Sequence, residues 1–169
     1  ALAAAVVIYV VRKIVPLNQL YDSVEWSVIV LLGAMIPIGA ALEASGGSEL
    51  IAQALVSWTQ GLPAVVVLIL LMVITMTLSD ILNNVATALV AAPIAIAVAE
   101  RLQANPDAFL MGIAVAASCA FLTPIGHKNN IIIMGPGGYR FGDYWRMGLP
   151  LEALVLAIGV PMILWIWPL

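Results

Sequence analysis

The sequence predicts an all-α membrane protein, and three observations carry that prediction. Of its 169 residues, 64% are hydrophobic and only 9% are charged, where a soluble domain carries about 25% charge and about half apolar residues. The charges are clustered: Arg12, Lys13, Asp22 and Glu25; Glu43 and Glu49; Glu100, Arg101 and Asp107; Arg140, Asp143 and Arg146. Between the clusters run apolar stretches with almost no charge, the pattern of spans joined by short loops. The same features exclude other classes. A net charge of −3 offers no basic face to nucleic acid. The single cysteine, Cys119, rules out a disulfide framework, and the hydrophobicity rules out a disordered chain.

Residues 1–11 are apolar but fall short of the roughly 20 residues a span requires. They carry no basic leader and no cleavage site, so they are expected to be the cut end of a helix inside a larger protein rather than a signal peptide. Trp26–Leu42 is the next span, interrupted by Gly33, Pro37 and Gly39. Residues 43–60 contain a turn, Ser45-Gly46-Gly47-Ser48, and a short helix. Gly61–Leu82 is the most hydrophobic run and ends in Ser79-Asp80, just before Asn83-Asn84. A second apolar arm covers Val85–Ala99. Phe109–Leu122 is a further candidate and stops at Thr123-Pro124-Ile125-Gly126-His127-Lys128-Asn129-Asn130. Ile131–Met134 resumes the apolar character before Gly135-Pro136-Gly137-Gly138 breaks it. Gly148–Leu169 is the last span, with Trp165 and Trp167 placed for an interfacial belt.

The arms 61–82 and 85–99 leave and return to one side. The 43–60 and 100–106 loops therefore share a side, and 12–25 and 136–147 share the other. The first carries Arg101 alone; the second carries Arg12, Lys13, Arg140 and Arg146. The excess of basic residues makes the second side cytoplasmic, so the paired arms enter from outside.

Two Asn-Asn pairs, Asn83-Asn84 and Asn129-Asn130, each follow one apolar run and precede another. Asn is a strong N-cap, so each pair is expected to open a helix, at Val85 and at Ile131. The runs before them would then be half-helices. Meeting helix N-termini would offer free N–H groups to an anion, and the carbonyls of the ending half-helices would hold a cation. Such discontinuous helices mark the sites of many secondary transporters. The alternative, an ordinary loop between two full spans at Asn83-Asn84, stands beside this reading. Asp80 is the one acid in the longest apolar region, either a structural or coupling carboxylate beside the break or a residue near the surface. His127 and Lys128 share the second break, where a Lys supplies a point charge and a His a hydrogen bond or a proton; an interfacial position for both is the other reading. One His and one Cys give no metal cluster. An enzyme finds little support. Tyr21-Asp22 and Phe141-Gly142-Asp143 only superficially match the paired motifs of an intramembrane aspartyl protease, and both acids fall in polar loops. No nucleophile elbow surrounds Ser79 or Ser118.

At these residues a family resemblance emerges. The run Ser79-Asp80-Ile81-Leu82-Asn83-Asn84-Val85-Ala86-Thr87-Ala88, with Ala92-Pro93-Ile94, resembles the outer re-entrant hairpin of the divalent anion:sodium symporter family. Ala116 to Gly126 resembles that family's broken helix, and Gly135 to Pro150 is similar to the segment entering its last helix. The bacterial sulfate/dicarboxylate permease branch is most alike. The resemblance implies the second inverted repeat of a secondary transporter, with a re-entrant helical hairpin and a broken transmembrane helix. It implies scaffold-side helices in 1–60, the first truncated, and a transport-side unit in 61–169 that moves by rocking or sliding. It implies ion-coupled transport of a small divalent anion across the bacterial inner membrane by a multi-pass protein and no enzymatic activity. The coupling ion it implies is sodium, with protons as the alternative, and it implies no other cofactor. The partners are the anion, the bilayer, an N-terminal half of the same transporter and a second copy in a homodimer. Substrate residues would be Asn83, Asn84, Thr87, Thr123, His127, Lys128, Asn129 and Asn130; cation residues would be Ser79, Asn84 and Gly126. The chain departs from the family pattern in Asn83 for Ser, Val85 for Thr, and His127-Lys128-Asn129-Asn130 for Thr-Pro-Pro-Asn. The added Lys favours a compact oxyanion such as sulfate. A non-transporting membrane assembly subunit is the alternative function.

Overall fold

An apolar chain in lipid must satisfy its backbone internally, and an open chain does so by forming helices. The computed structural model describes residues 2–12, 14, 26–59 and 61–169; Lys13, Tyr21-Asp22 and Glu25 lie outside them. Among the described residues there are helices and no strands. In chain order they are α1 (Leu2–Val11), α2 (Trp26–Ala44), α3 (Gly47–Trp58), α4 (Ala64–Ile81), α5 (Asn84–Arg101), α6 (Pro106–Ala117), α7 (Lys128–Met134), a 3₁₀ turn (Phe141–Asp143) and α8 (Tyr144–Ile166). The chain divides into two compact units, 1–34 and 35–169. The first contains α1; the second carries α3 to α8. Among the described residues, three helical stretches are long and apolar enough to cross a membrane: Ala64–Ile81, Asn84–Arg101 and Phe141–Ile166.

Within the second unit, α5 packs against α3, α4 and α6, and α6 packs against α4 and α8. The core lies between α4, α5 and α6: Val67, Leu68, Leu71, Met72 and Met76 meet Phe109, Ile113 and Ala116, with Ala91, Ala95 and Val98 completing it. Small residues set the spacing, as in helix pairs that lack a water-driven hydrophobic force. At Gly112 a Cβ would come within 2.8 Å of Leu68 Cδ1 and 3.3 Å of Met72 Cγ, so α6 lies on α4 as closely as its backbone permits. By contrast α8 presents Trp145, Leu149, Leu154, Ile158, Met162 and Trp165 outward.

One end of this unit is fixed by polar contacts. Arg101 forms an ion pair with Glu49, and Asn105 Nδ2 donates to Pro168 O at 3.1 Å. The start of α3, the end of α5, the start of α6 and the end of α8 therefore share one end, as expected for 43–60 and 100–106 from arms that leave and return to one side.

The helix boundaries differ from the sequence expectation: the last span, placed at Gly148–Leu169, is a helix over Tyr144–Ile166, the arm placed at Val85–Ala99 is a helix over Asn84–Arg101, and two differences bear on the site. The span placed at Phe109–Leu122 is a helix over Pro106–Ala117. Asn105 caps it by accepting from Asp107 N at 3.0 Å, with Pro106 at the first helical position, where its missing N–H costs nothing. At the other end the amides of Leu122 and Thr123 are taken by Asp80 Oδ1 and leave the helix. The second Asn-Asn pair does not open a helix at Ile131: α7 begins at Lys128 and its cap is His127.

Candidate functional site

The site is the junction of two breaks. The first is the turn between α4 and α5. Leu82 (φ −94°, ψ −175°) closes α4 and is extended; Asn83 (φ −92°, ψ 157°) caps α5, its Oδ1 accepting from Ala86 N at 2.8 Å. The connection is thus two residues long. The second break is the irregular strand from Ser118 to His127 that separates α6 from α7.

The two breaks are stitched together. Asp80 Oδ1 accepts from the backbone N–H of Leu122 at 2.9 Å and of Thr123 at 3.2 Å, and Thr123 Oγ1 donates to Asp80 O at 2.7 Å. Ser79 Oγ donates to Ala117 O at 2.6 Å. Asn130 Nδ2 reaches back to Ala120 O at 3.2 Å and Thr123 O at 3.3 Å, while its own carbonyl accepts from Tyr144 OH at 2.6 Å. Ser79 is fully buried and Asp80 is 3% exposed; along the unwound stretch Cys119, Ala120, Pro124 and Gly126 are buried, while Ser118, Ile125 and His127 are exposed. Gly126 makes the approach possible. A Cβ there would lie 2.5 Å from Ala120 Cβ and 2.8 Å from Ser79 O.

The Asn84 amide occupies the centre of the junction, 3.1 Å from Ser79 Oγ, 3.2 Å from Ala117 O and 3.3 Å from Gly126 O. With its nitrogen inward its two N–H hydrogens are shared among these three oxygens. With its oxygen inward it accepts from Ser79 Oγ and closes a cluster of four oxygens. Ligands about 2.4 Å from a hard cation lie about 3.4 Å apart on adjacent octahedral vertices. The spacings from the Asn84 amide come near that value, while Ser79 Oγ and Ala117 O, hydrogen-bonded at 2.6 Å, would have to part for both to bind one ion.

The structure therefore brings together Ser79, Asn84 and Gly126, and adds Ala117 O, which the sequence reading did not name. Thr123 and Asn130 lie beside them as bracing groups. Thr87 is 1% exposed and its Oγ1 has no hydrogen-bond partner, leaving a buried hydroxyl one turn into α5. Asn83, His127 and Asn129 are exposed. Asn83 Oδ1 is occupied in capping, and His127 Nδ1 accepts from Asn129 N at 3.3 Å. The backbone of Lys128 opens α7, and its side chain lies outside the described groups. Asp143 Oδ2 accepts from Arg140 N at 2.8 Å, capping the 3₁₀ turn Phe141–Asp143 that precedes α8.

Sequence reasoning missed Glu152. It lies on the α8 face that also carries Tyr144 and Gly148, spaced four residues apart. Tyr144 holds Asn130, Gly148 packs against the carbonyl of Phe121, and Glu152 Oε1, one turn further on, is buried without a hydrogen-bond partner. The spacing Tyr144, Gly148, Glu152 was the available signal.

Residues 1–169 match the family model described as Citrate transporter. An uncharacterized transporter of Synechocystis is 38% identical over 160 residues, covering 95% of this chain and 26% of its own length. A sodium-dependent high-affinity dicarboxylate transporter of Caenorhabditis elegans is 33% identical over 143 residues, covering 83% and 25%. A sodium/sulfate cotransporter of Chlamydomonas reinhardtii is 25% identical over 143 residues, covering 84% and 16%. The chain spans about a quarter of the length of the first of these relatives. They are transporters, consistent with the divalent anion:sodium symporter resemblance.

Proposed function

The chain belongs to the citrate transporter family, and from that premise we propose that it is the C-terminal half of an ion-coupled secondary transporter. It carries a small divalent anion, sulfate or a dicarboxylate, across the bacterial inner membrane. The observation that carries this reading is the gathering of Ser79 Oγ, Ala117 O and Gly126 O around the Asn84 amide at the meeting of the two breaks. It has the donors a sodium ion takes, and it lies where half-helix ends coordinate ions in such transporters. The relatives named for sodium with dicarboxylate and with sulfate support sodium coupling and an anionic cargo.

The anion sits beside that cluster. Asn83, Asn84 and Thr87 serve it from the start of α5, with Thr123, His127, Lys128, Asn129 and Asn130 from the second break. The cation comes first: with sodium in the cluster, Asn84 turns its oxygen inward and its nitrogen outward, toward the anion. Binding of one ion then orients a donor for the other, which is the differential contact that coupling requires. Both breaks lie at membrane depth. In support, the strand that holds Asp80 lies along Gly148 and Glu152, about 6 to 12 Å inside the start of α8 at 1.5 Å per residue. An N-terminal half supplies the remaining walls, and residues 61–169 move against the scaffold of 1–60 and a second copy.

The test uses the full-length protein in proteoliposomes, with counterflow of labelled sulfate or succinate under a sodium gradient. Wild type is expected to exchange one of them in a sodium-dependent manner. Asn84→Ala is expected to abolish exchange, and Lys128→Gln to weaken anion affinity. Unchanged transport in both variants defeats the site assignment; absence of exchange of either anion by wild type, under any cation gradient, defeats the function.

A further inference from the structure

Tyr144 opens α8, and its hydroxyl reaches out of that helix. It donates to Asn130 O at 2.6 Å, in the first turn of α7. A carbonyl has two lone pairs, so Asn130 O takes this bond without leaving its own helix. The Asn130 side chain runs on toward the break. Nδ2 carries two N–H groups and donates to Ala120 O at 3.2 Å and Thr123 O at 3.3 Å. Thr123 Oγ1 passes the tie on, donating to Asp80 O at 2.7 Å and accepting from Ile125 N at 3.2 Å. The next residue is Gly126, and its carbonyl faces the Asn84 amide at 3.3 Å. Ala120 bears on the same glycine, since a Cβ there would lie 2.5 Å from Ala120 Cβ. Asn130 therefore holds both walls of the loop that brings Gly126 to the cluster, and Tyr144 holds Asn130. The tie also has room to fail. Tyr144 and Asn130 line a cavity of about 340 Å³ between α7 and α8, together with Phe121, Ile133, Tyr139 and Leu151. Without the hydroxyl, the start of α7 has that space to move into.

We propose that Tyr144 is a positioning residue for the cation cluster. Acting through Asn130, its hydroxyl fixes the 120–126 loop against Ser79 and Asp80, and so sets how tightly Ser79, Asn84 and Gly126 hold sodium. This role rests on reading the chain as a sodium-coupled transporter with the ion at that cluster. Tyr144 itself touches no ion; it governs the distance of Gly126 O from Asn84. A loop free to drift must be ordered again each time the ion binds, and that ordering is subtracted from affinity. A tethered loop is ordered in advance. The ring of Tyr144 has a separate part to play. It meets Tyr139 edge to face, with centroids 6.2 Å apart, and one turn further along α8 Gly148 packs against Phe121 O. These contacts keep α8 on the strand when the hydroxyl is gone, so the loss falls on the cation rather than on the fold.

The experiment is sodium protection of the purified full-length protein against thermal unfolding, read as the half-protecting sodium concentration. Tyr144→Phe keeps the ring and removes the hydroxyl. It is expected to raise that concentration about three- to tenfold, the worth of one net hydrogen bond, while the melting temperature without sodium stays near wild type. Asn130→Ala is expected to weaken sodium at least as much. Tyr144→Phe added to it should weaken sodium by less than about twofold further, because the two lie on one path. Tyr139→Phe removes the neighbouring exposed hydroxyl and should keep wild-type sodium protection. An unchanged half-protecting concentration in Tyr144→Phe overturns the positioning role, even where the melting temperature falls equally with and without sodium. Full multiplication of the two losses in the double variant also overturns it, since Tyr144 would then act without Asn130. Asn84→Ala tells the two levels apart. If it keeps wild-type protection, the cluster is not the sodium site and the transport reading beneath the proposal falls with it; if it loses protection while Tyr144→Phe does not, the positioning role alone is defeated.

Discussion

Gly126 tests whether the cation cluster depends on the close approach of the two breaks. A Cβ built there meets Ala120 Cβ at 2.5 Å, Ser79 O at 2.8 Å and Asp80 Cα at 3.1 Å. Two of these atoms are backbone and the third is a Cβ, so no flexible side-chain end can swing aside. Ordinary contact begins at 3.4 Å, and the loop must withdraw from Ser79 by about 0.6 Å. Gly126 O moves with it, away from Asn84. Overpacking of this kind costs about 1–3 kcal/mol. Any part of that cost relieved by opening the cluster is lost from cation affinity, where about 1.4 kcal/mol is a factor of ten. Gly126→Ala is therefore expected to weaken sodium binding by about ten- to a hundredfold, read as the sodium concentration that protects the full-length protein against thermal unfolding. Gly159→Ala is the control: it lies in α8 with open space around it, and replacing a helix-interior glycine there should stabilise by about 0.5–1 kcal/mol without changing the sodium dependence. Wild-type sodium protection in Gly126→Ala would refute the cluster, because no neutral rearrangement of those three neighbours restores the carbonyl to its place.

Three further outcomes follow from the same contacts. Asn83→Ala removes the α5 cap at Ala86 N and should cost about 1 kcal/mol in unfolding experiments, with Asn83→Ser or Asn83→Asp restoring most of it. Thr123→Val removes the donor to Asp80 O and the acceptor for Ile125 N; about 1–3 kcal/mol is expected, with Thr123→Ser close to wild type, by the same measurement. Arg101→Gln breaks the ion pair with Glu49, whose side chains are 34% and 53% exposed. Its effect should stay below about 1 kcal/mol and shrink with salt, which a salt titration of the melting temperature checks.

The helical class and the helix–turn–helix over 64–101 were legible because each leaves a one-dimensional mark: charge gaps delimit spans, and an Asn before an alanine-rich run marks a cap. Ser79, Asn84 and Gly126 were singled out by the family resemblance, and the structure brings them together. The second break was only half legible. Asn129-Asn130 resembles the first pair in sequence, yet His127 takes the cap because its ring nitrogen accepts from Asn129 N. Asn130 is then free to brace Ala120 and Thr123 from the first turn of α7. Which residue caps depends on where the strand is held, and Asp80 holds it from a distant part of the chain. Glu152 was illegible for a related reason. One acid between Leu151 and Ala153 looks like any polar interruption of a span until α8 is laid over Phe121.

What makes the broken strand tenable is the way its polar groups are sorted. Irregular backbone in lipid must find partners for its N–H and C=O groups, and the bonds this stretch makes are sorted by direction. The amides of Leu122 and Thr123 go to Asp80. The carbonyls of Ala120 and Thr123 go to Asn130, while those of Ala117 and Gly126 face Asn84. Ser118 and Cys119 N–H finish the last turn of α6 on Val115 O and Ala116 O. Donors thus collect against Asp80 and acceptors against an amide that can present either of its ends. A rigid donor at position 84, such as a lysine, would satisfy the carbonyls permanently and leave no room for a cation. A rigid acceptor, such as an aspartate, would leave the empty cluster as opposed oxygens. Asparagine alone of the three serves both states: nitrogen inward when the cluster is empty, oxygen inward when it is filled. The empty junction can therefore stay closed while the unit returns across the membrane, which a coupled carrier needs as much as it needs the loaded state.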